Sequence, residues 1–297
     1  MISIKRFSEL SYKEAVVLWN EGFKYYFSNM TMTVDAFIRK LANEGLSPEH
    51  SVVAYVDHVA VGFAINGFRE MDGKKIAWNG GTGIKPEFRG QGIGKVLIEA
   101  CLDVYREQGV DLALLEAVAQ NERAIALYKK MGYEVFEELV FLQQNGAMTI
   151  DAFHTNSNFE IVRGIPEDIQ LLEFFQPIKA WQVQVPGCKG AESIIVKKGN
   201  EVLAYAVYQR MMDEKHNIQT IALNQCEIKE SIDVQKVADF ILYHVFQPHH
   251  KIKRMVRNLS KNNRLVYNTL LAAGFETLVE QVHMSNRLDQ PIKESIQ

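Results

Sequence analysis

The chain is predicted to be an α/β (α+β) protein made of two similar domains in tandem, each a mostly antiparallel central sheet flanked by helices. Three observations carry that expectation. Short alternating strands and longer amphipathic helices follow one another in a fixed order through the first 145 or so residues. A glycine-rich bend, Thr82 to Lys95, joins the end of a strand to the start of a long helix. The order then begins again, because Gly274 follows Gly132, Asn263 follows Asn121 and Leu203 follows Val61 by the same 142 residues.

Taken in order, Ile2 to Phe7 alternates as a strand, and amphipathic helices follow at Tyr12 to Phe23 and Thr33 to Asn43. Thr33 and Asp35 mark the second helix's start and Gly45 its stop. Between them lies the aromatic run Phe23 to Phe27, expected to pack in the core, with a substrate-pocket wall as the other reading. Ser51 to Val56 and Val59 to Arg69 form a hairpin turned at Asp57-His58. A second turn at Asp72-Gly73 leads into the strand Ile76 to Ile84. A helix from about Gln91 to Gln108 ends at Gly109. Leu112 to Val118 is almost wholly apolar, as in a strand covered on both faces. Asn121 caps a helix that Gly132 ends, and two short strands, Glu134 to Phe136 and Leu139 to Gln143, close the first half.

In the bend, Gly90, Gly92 and Gly94 let the backbone approach a ligand, and the first helical turn offers free N–H groups and the positive end of the helix dipole. Arg89 and Lys95 flank it, so the segment is expected to cradle an anion. The spacing is neither the Gly-x-Gly-x-x-Gly of a dinucleotide site nor a P-loop, because Val96 follows Gly94-Lys95. It is Arg-x-x-Gly-x-Gly, from Arg89 to Gly94, and the helix beyond reads Asn-x-x-Ala-x-x-Leu-Tyr-x-x-x-Gly-Tyr, from Asn121 to Tyr133.

These two motifs, in this order, resemble those of the GCN5-related N-acetyltransferases (GNAT superfamily). The resemblance implies acetyl-CoA as co-substrate. It assigns cofactor contacts to Thr82, Gly83, Ile84, Arg89, Gly90, Gln91, Gly92, Ile93, Gly94, Lys95 and Asn121, the first three by position only. It also implies that the strand ending at Ile84 splays from the one holding Glu116, that a strand N–H polarises the acetyl carbonyl, and that Tyr128 acts as general acid to the departing thiolate. The carboxylate often found on the strand before the glycine loop is missing from Trp78-Asn79-Gly80-Gly81-Thr82-Gly83. Glu116 is the remaining candidate for the base. A carboxylate in an apolar run either has a partner or a pKa raised enough to take a proton from an ammonium. The alternatives are that it faces solvent or a structural arginine, or that a water relay does the work.

The second half serves as an internal control. At the 142-residue offset Tyr128 becomes Leu270, so packing does not demand a hydroxyl there, whereas Asn263 keeps the cap of Asn121. There is no glycine between Gly199 and Gly274, and Glu227, Glu230 and Asp233 stand where a pyrophosphate would sit, so this half is expected not to bind acetyl-CoA. A shorter helical segment is expected after its first strand.

The expected boundaries are a catalytic domain at 1–153, a linker at 154–158, a degenerate domain at 159–290 and a polar tail at 291–297. The chain has 297 residues, 47% hydrophobic and 23% charged, with formal net charge −3, which argues against nucleic acid or an anionic membrane as partner. Cys101, Cys188 and Cys226 have no paired spacing, and Cys101 sits among apolar helix residues rather than as a nucleophile. His244, His249 and His250 lack ligand spacing, so no metal is expected, and Lys251 to Arg257 alternates like a strand. The absence of a leader-like or membrane-spanning run points to the cytoplasm.

The expected activity is acetyl transfer to a primary amine of a small molecule or peptide, in the first half, with a homodimer possible in principle. The alternative is a non-catalytic acyl-CoA sensor. The acceptor is expected to meet residues Trp19 to Asn43 and the vicinity of Phe68-Arg69.

Overall fold

The computed structural model describes residues 1–149, 153, 158–230 and 233–288. Within the expected linker only Asn158 is described. The tail at 291–297 and two residues of the acidic stretch, Ser231 and Ile232, lie outside the described residues.

In chain order the strands and helices are β1 (Ile2–Arg6), α1 (Tyr12–Gly22), α2 (Val34–Glu44), β2 (Leu46–Val56), β3 (Val59–Met71), β4 (Lys74–Ile84), α3 (Ile93–Glu107), β5 (Leu112–Val118), α4 (Glu122–Lys130) and β6 (Glu134–Gly146). They continue with β7 (Glu160–Gly164), β8 (Glu192–Lys198), β9 (Glu201–Met212), β10 (Ile218–Ile228), α5 (Val234–Phe246), β11 (Ile252–Ser260), α6 (Arg264–Ala272) and β12 (Glu276–Arg287). Compact packing divides the chain into Met1–Phe136 with the residues from Val282 onward, and Glu137–Gln281. These units differ from the boundaries expected at 153 and 159, because the last strand returns to the first unit.

In the first unit the strand order is β1-β2-β3-β4-β5-β12. β1 to β4 are antiparallel neighbours, and β4 and β5 run parallel. Local chemistry explains the helices. Ser11 and Glu14 form a reciprocal capping box at the start of α1, Thr33 Oγ1 accepts from the Ala36 N–H, and Gly45 ends α2 at φ 65°. α3 and α4 cover one sheet face around Ala113, Leu115, Ala117, Tyr105 and Met284. α1 and α2 cover the other face, where Trp19, Phe37 and Phe63 are fully buried and meet Phe7 and Phe23 ring to ring. Each phenylalanine so buried contributes about 1.5–3 kcal/mol.

In the second unit the order is β7-β8-β9-β10-β11-β6, with β10 and β11 parallel. α5 and α6 pack on one face around Phe246, Ile241 and Leu270. The expected short helix after β7 is three 3-10 turns instead, Pro166–Leu171, Trp181–Val183 and Val185–Gly187. Pro166, Pro177 and Pro186 break the helical hydrogen-bond ladder there. The two strands expected after Tyr133 form one, β6, whose residues from Leu139 to Gly146 pair with β11.

Candidate active site

The site is set by a break in strand pairing. β4 and β5 are paired from Ile76↔Leu112 to Asn79↔Leu115 and no further, although β4 continues to Ile84 and β5 to Val118. The cause is local. Against β3, Ile65 pairs with Gly81 but Asn66 with Asn79, so Gly80 is an extra residue, a bulge that bends β4 away. The side chain of Asn79 steadies the bend, its Oδ1 accepting from the Gly81 N–H and its Nδ2 donating to Thr82 Oγ1 at 2.9 Å. Thr82, Gly83 and Ile84 therefore line an opened seam between strands, as expected from the resemblance.

Beyond Ile84 the chain turns through the 3-10 segment Pro86–Phe88 into the glycine loop. Gly90 and Gly92 have φ of 86° and 83°, left-handed conformations that a side chain disfavours. Gly94 is glycine for a different reason: a Cβ there would stand 3.1 Å from Leu127 Cδ2, so its role is close approach to α4. Among the described residues, no hydrogen bond occupies the amides of Gly90, Gln91, Gly92, Ile93 or Gly94, whereas those of Lys95 and Val96 bond to Gly92 O. Five such donors leading into a helix start are of the kind that suits an anion. The Ile93 side chain is core, and Lys95 is exposed with Glu99 3.6 Å away.

Arg89 behaves differently from a free phosphate ligand. Its Nε donates to Ile84 O at 2.9 Å, and its Nη2 donates to Gly22 O at 3.1 Å and Lys24 O at 2.7 Å. The guanidinium thus ties the end of β4 to carbonyls at and just past the end of α1, and shapes the loop as a strut. Gln91 likewise turns its side chain onto Glu87 O.

At the open end of the seam, the Tyr128 hydroxyl stands by Thr82, and burial pushes its pKa up to about 12. Tyr26 stands nearby, its hydroxyl beside Asn121 and its pKa raised by burial. The expectation for the aromatic run is therefore divided: Phe23 is core, Tyr26 faces the site, and Tyr25 and Phe27 are exposed. Asn121 Oδ1 also caps α4 by accepting from Ala124 N–H.

Glu116 is the first residue of β5 beyond its last paired position. Its side chain is buried, 6% exposed. Its Oε2 accepts from Trp78 Nε1 at 2.6 Å, and its Oε1 is 3.7 Å from Nε2 of His283 on β12. Sequence reasoning placed Tyr26 only within the aromatic run and did not single out Asn79 or His283; the signal for the last is that the residue 142 positions earlier is Phe141. Cys101 is buried with its thiol pushed up to about 12, against a role as nucleophile.

The second unit repeats the opened seam and then fills it. β10 and β11 pair only as far as Leu223↔Val256, with an extra residue at Asn224 on β10. Gln225 Nε2 donates to Val183 O, Asn258 Nδ2 to Gln182 Oε1, and Lys179 pairs with Glu227. The segment from Lys179 to Val183 thus bridges the two strands with the unit's own chain. Lys179 neutralises Glu227, so repulsion by that carboxylate is not the obstacle expected from sequence. The Lys85 N–H bonds to Val61 O as the Lys229 N–H does to Leu203 O, and only residues 229–233 then separate β10 from α5, against 85–92 between β4 and α3.

Comparison with known proteins agrees with this architecture. Residues 7–133 match the model of the Acetyltransferase (GNAT) family. The mycothiol acetyltransferase of Propionibacterium freudenreichii is 24% identical over 135 residues, which are 45% of this chain and 43% of that protein. The peptidyl-lysine N-acetyltransferase YjaB of Salmonella typhimurium is 29% identical over 136 residues, 46% of this chain and 85% of that one. The chain thus spans less than half of the mycothiol enzyme. A tandem GNAT protein from the clavulanic acid biosynthesis pathway shares the fold at a TM-score of 0.61 and 12% identity, over 98% of this chain and 100% of that one. With the opened seam, the free loop amides and these likenesses together, residues 7–133 form a domain of the GCN5-related N-acetyltransferase (GNAT) family, in a chain whose fold is that of two GNAT-like halves.

Proposed function

We propose that the first unit transfers an acetyl group from acetyl-CoA to a primary amine, and that the second unit binds no acetyl-CoA. The observation that carries the reading is the pairing break after Asn79 and Leu115, which leads directly into the unpaired amides of Gly90 to Gly94. An elongated ligand with a pyrophosphate at one end suits that arrangement: the loop amides hold the phosphates, and the strand edge from Thr82 to Ile84 pairs with the amide-bearing arm. Acetyl-CoA supplies the activated acetyl group as a thioester.

The chain's own residues supply the remainder. A strand N–H near Ile84 polarises the carbonyl, Tyr128 presents its hydroxyl to the developing thiolate, and Glu116 takes the proton that the ammonium of the acceptor must lose. No acyl-enzyme is part of the reading. Relatives named for mycothiol and for peptidyl-lysine leave both small-molecule and peptide acceptors open. Tyr25 and Phe27 are exposed beside Tyr26, which suits an acceptor with an apolar portion.

Calorimetric titration of the full chain with acetyl-CoA tests the cofactor part. One site per chain is expected, lost in Gly92→Glu, which places a carboxylate and a strained backbone in the loop. Two sites would remove the proposal for the second unit, and no binding would remove the reading for the first. An amine screen followed by thiol release tests the activity. Tight binding without turnover on any amine would favour the acyl-CoA sensor.

A further inference from the structure

Glu116 and His283 form a pair of buried ionisable side chains in the first unit, 6% and 0% exposed, with Nε2 3.7 Å from Oε1. Strand register explains why they meet. The Leu288 N–H donates to Asp111 O. β12 is the neighbour of β5 in the sheet, and stepping back along it while stepping forward along β5 brings His283 opposite Glu116. Both groups are oriented from the side. Trp78 Nε1 holds the second carboxylate oxygen, and the imidazole lies against Phe136 with ring centroids 4.3 Å apart. On α2, Lys40 Nζ lies 5.9 Å from the Trp78 ring centroid and is paired with Glu44.

The fold does not require such a pair. In the second unit, β6 passes β11 in the equivalent register, and there Phe141 faces the bulge that contains Arg257. Phenylalanine thus fills the histidine's place without loss of the strand. A carboxylate buried this deeply needs donors on both oxygens to keep a single orientation. Trp78 supplies one of them at close range.

We propose that His283 is a positioning residue for Glu116. Nε2 stands 3.7 Å from Oε1, longer than a direct hydrogen bond, and acts on the carboxylate electrostatically, favouring the orientation from which it meets the acceptor ammonium. The inference rests on the reading of Glu116 as base. Through His283 the final strand of the chain takes part in the chemistry of the first unit.

The test uses the full chain in two variants. His283→Phe keeps the ring against Phe136 and removes the N–H, whereas His283→Gln restores a donor near the position of Nε2. With the best amine from the screen, His283→Phe is expected to lower kcat roughly tenfold. It is also expected to shift the acid limb of the pH profile, while calorimetric affinity for acetyl-CoA stays unchanged. His283→Gln is expected to recover most of the rate. Unchanged kcat and pH profile in His283→Phe would overturn the proposal, as would an equal loss in both variants.

A second readout is independent of turnover. The nitrogen spectrum of the His283 ring should show Nε2 protonated in the wild type and should change on Glu116→Gln. If no amine is turned over, the activity reading fails while this spectrum still decides the pair: a ring indifferent to Glu116→Gln removes the proposal.

Discussion

Tyr128 shows how environment limits the role of one residue. At about 12 its pKa lies above that of an ordinary thiol, near ~8.5, so complete proton transfer to a free thiolate runs uphill. What the hydroxyl offers at neutral pH is a hydrogen-bond donor that is always protonated. Two outcomes are expected. Tyr128→Phe should lower kcat by about 10²-fold with acetyl-CoA affinity retained, since the lost donor acts on charge formed during reaction. The sign of the pH dependence follows from the raised value: the protonated form persists to high pH, so the alkaline limb of the wild-type profile should not come from Tyr128 below about pH 11. A limb that Tyr128→Phe abolishes near pH 9 would contradict this. The residue was legible because its position recurs in the second copy as Leu270, a buried core residue. His283 was not, because its partner is a strand far away in sequence and no local pattern marks a histidine as facing a particular carboxylate.

At the scale of elements, the junction of α1, β3 and β4 is held by close backbone approach. A Cβ on Gly83 would meet Phe63 Cε1 at 2.6 Å and the Gly22 carbonyl carbon at 3.2 Å. Phe63 is fully buried against Phe7, Trp19 and Phe23, so the ring has nowhere to move. Gly83→Ala is therefore expected to cost about 1–3 kcal/mol by overpacking. Thermal denaturation should show this as a loss of several degrees with or without acetyl-CoA. An unchanged melting temperature together with weakened binding would make Gly83 a ligand contact alone. Strand and helix identity was legible from alternation and capping residues such as Ser11, Thr33 and Asn121. The seam was legible only through the family resemblance, because it depends on a bulge at Gly80 that periodicity does not show. Arg89 was legible as a charge but not as a strut, since the carbonyls of Gly22 and Lys24 that it binds are brought to it by packing.

At the scale of the chain, the two halves share an element order, yet each unit's sheet ends on a strand that follows the other copy's last helix. Residues from Val282 belong to the first unit, where Met284 joins the core, Asn286 Nδ2 donates to Met131 O and the Leu288 N–H donates to Asp111 O. The repeat was legible from the 142-residue offset, but this exchange was not, because an equal offset is compatible with either partner for the last strand. The exchange has a consequence for the second copy, whose own seam is bridged by Lys179 to Val183: it is needed to return β12, whether or not it binds anything. A chain ended at residue 158 would leave β5 without its outer neighbour and bare the core around Ala113 and Leu115, an unpaired apolar edge prone to association. Such a fragment is expected to aggregate or lose cooperative unfolding and to bind acetyl-CoA at least tenfold more weakly than the full chain, although it keeps every residue of the cradle. Circular dichroism on heating and calorimetry on the same sample measure both effects, and a fragment that melts and binds like the full chain would show that the first half closes its sheet without β12.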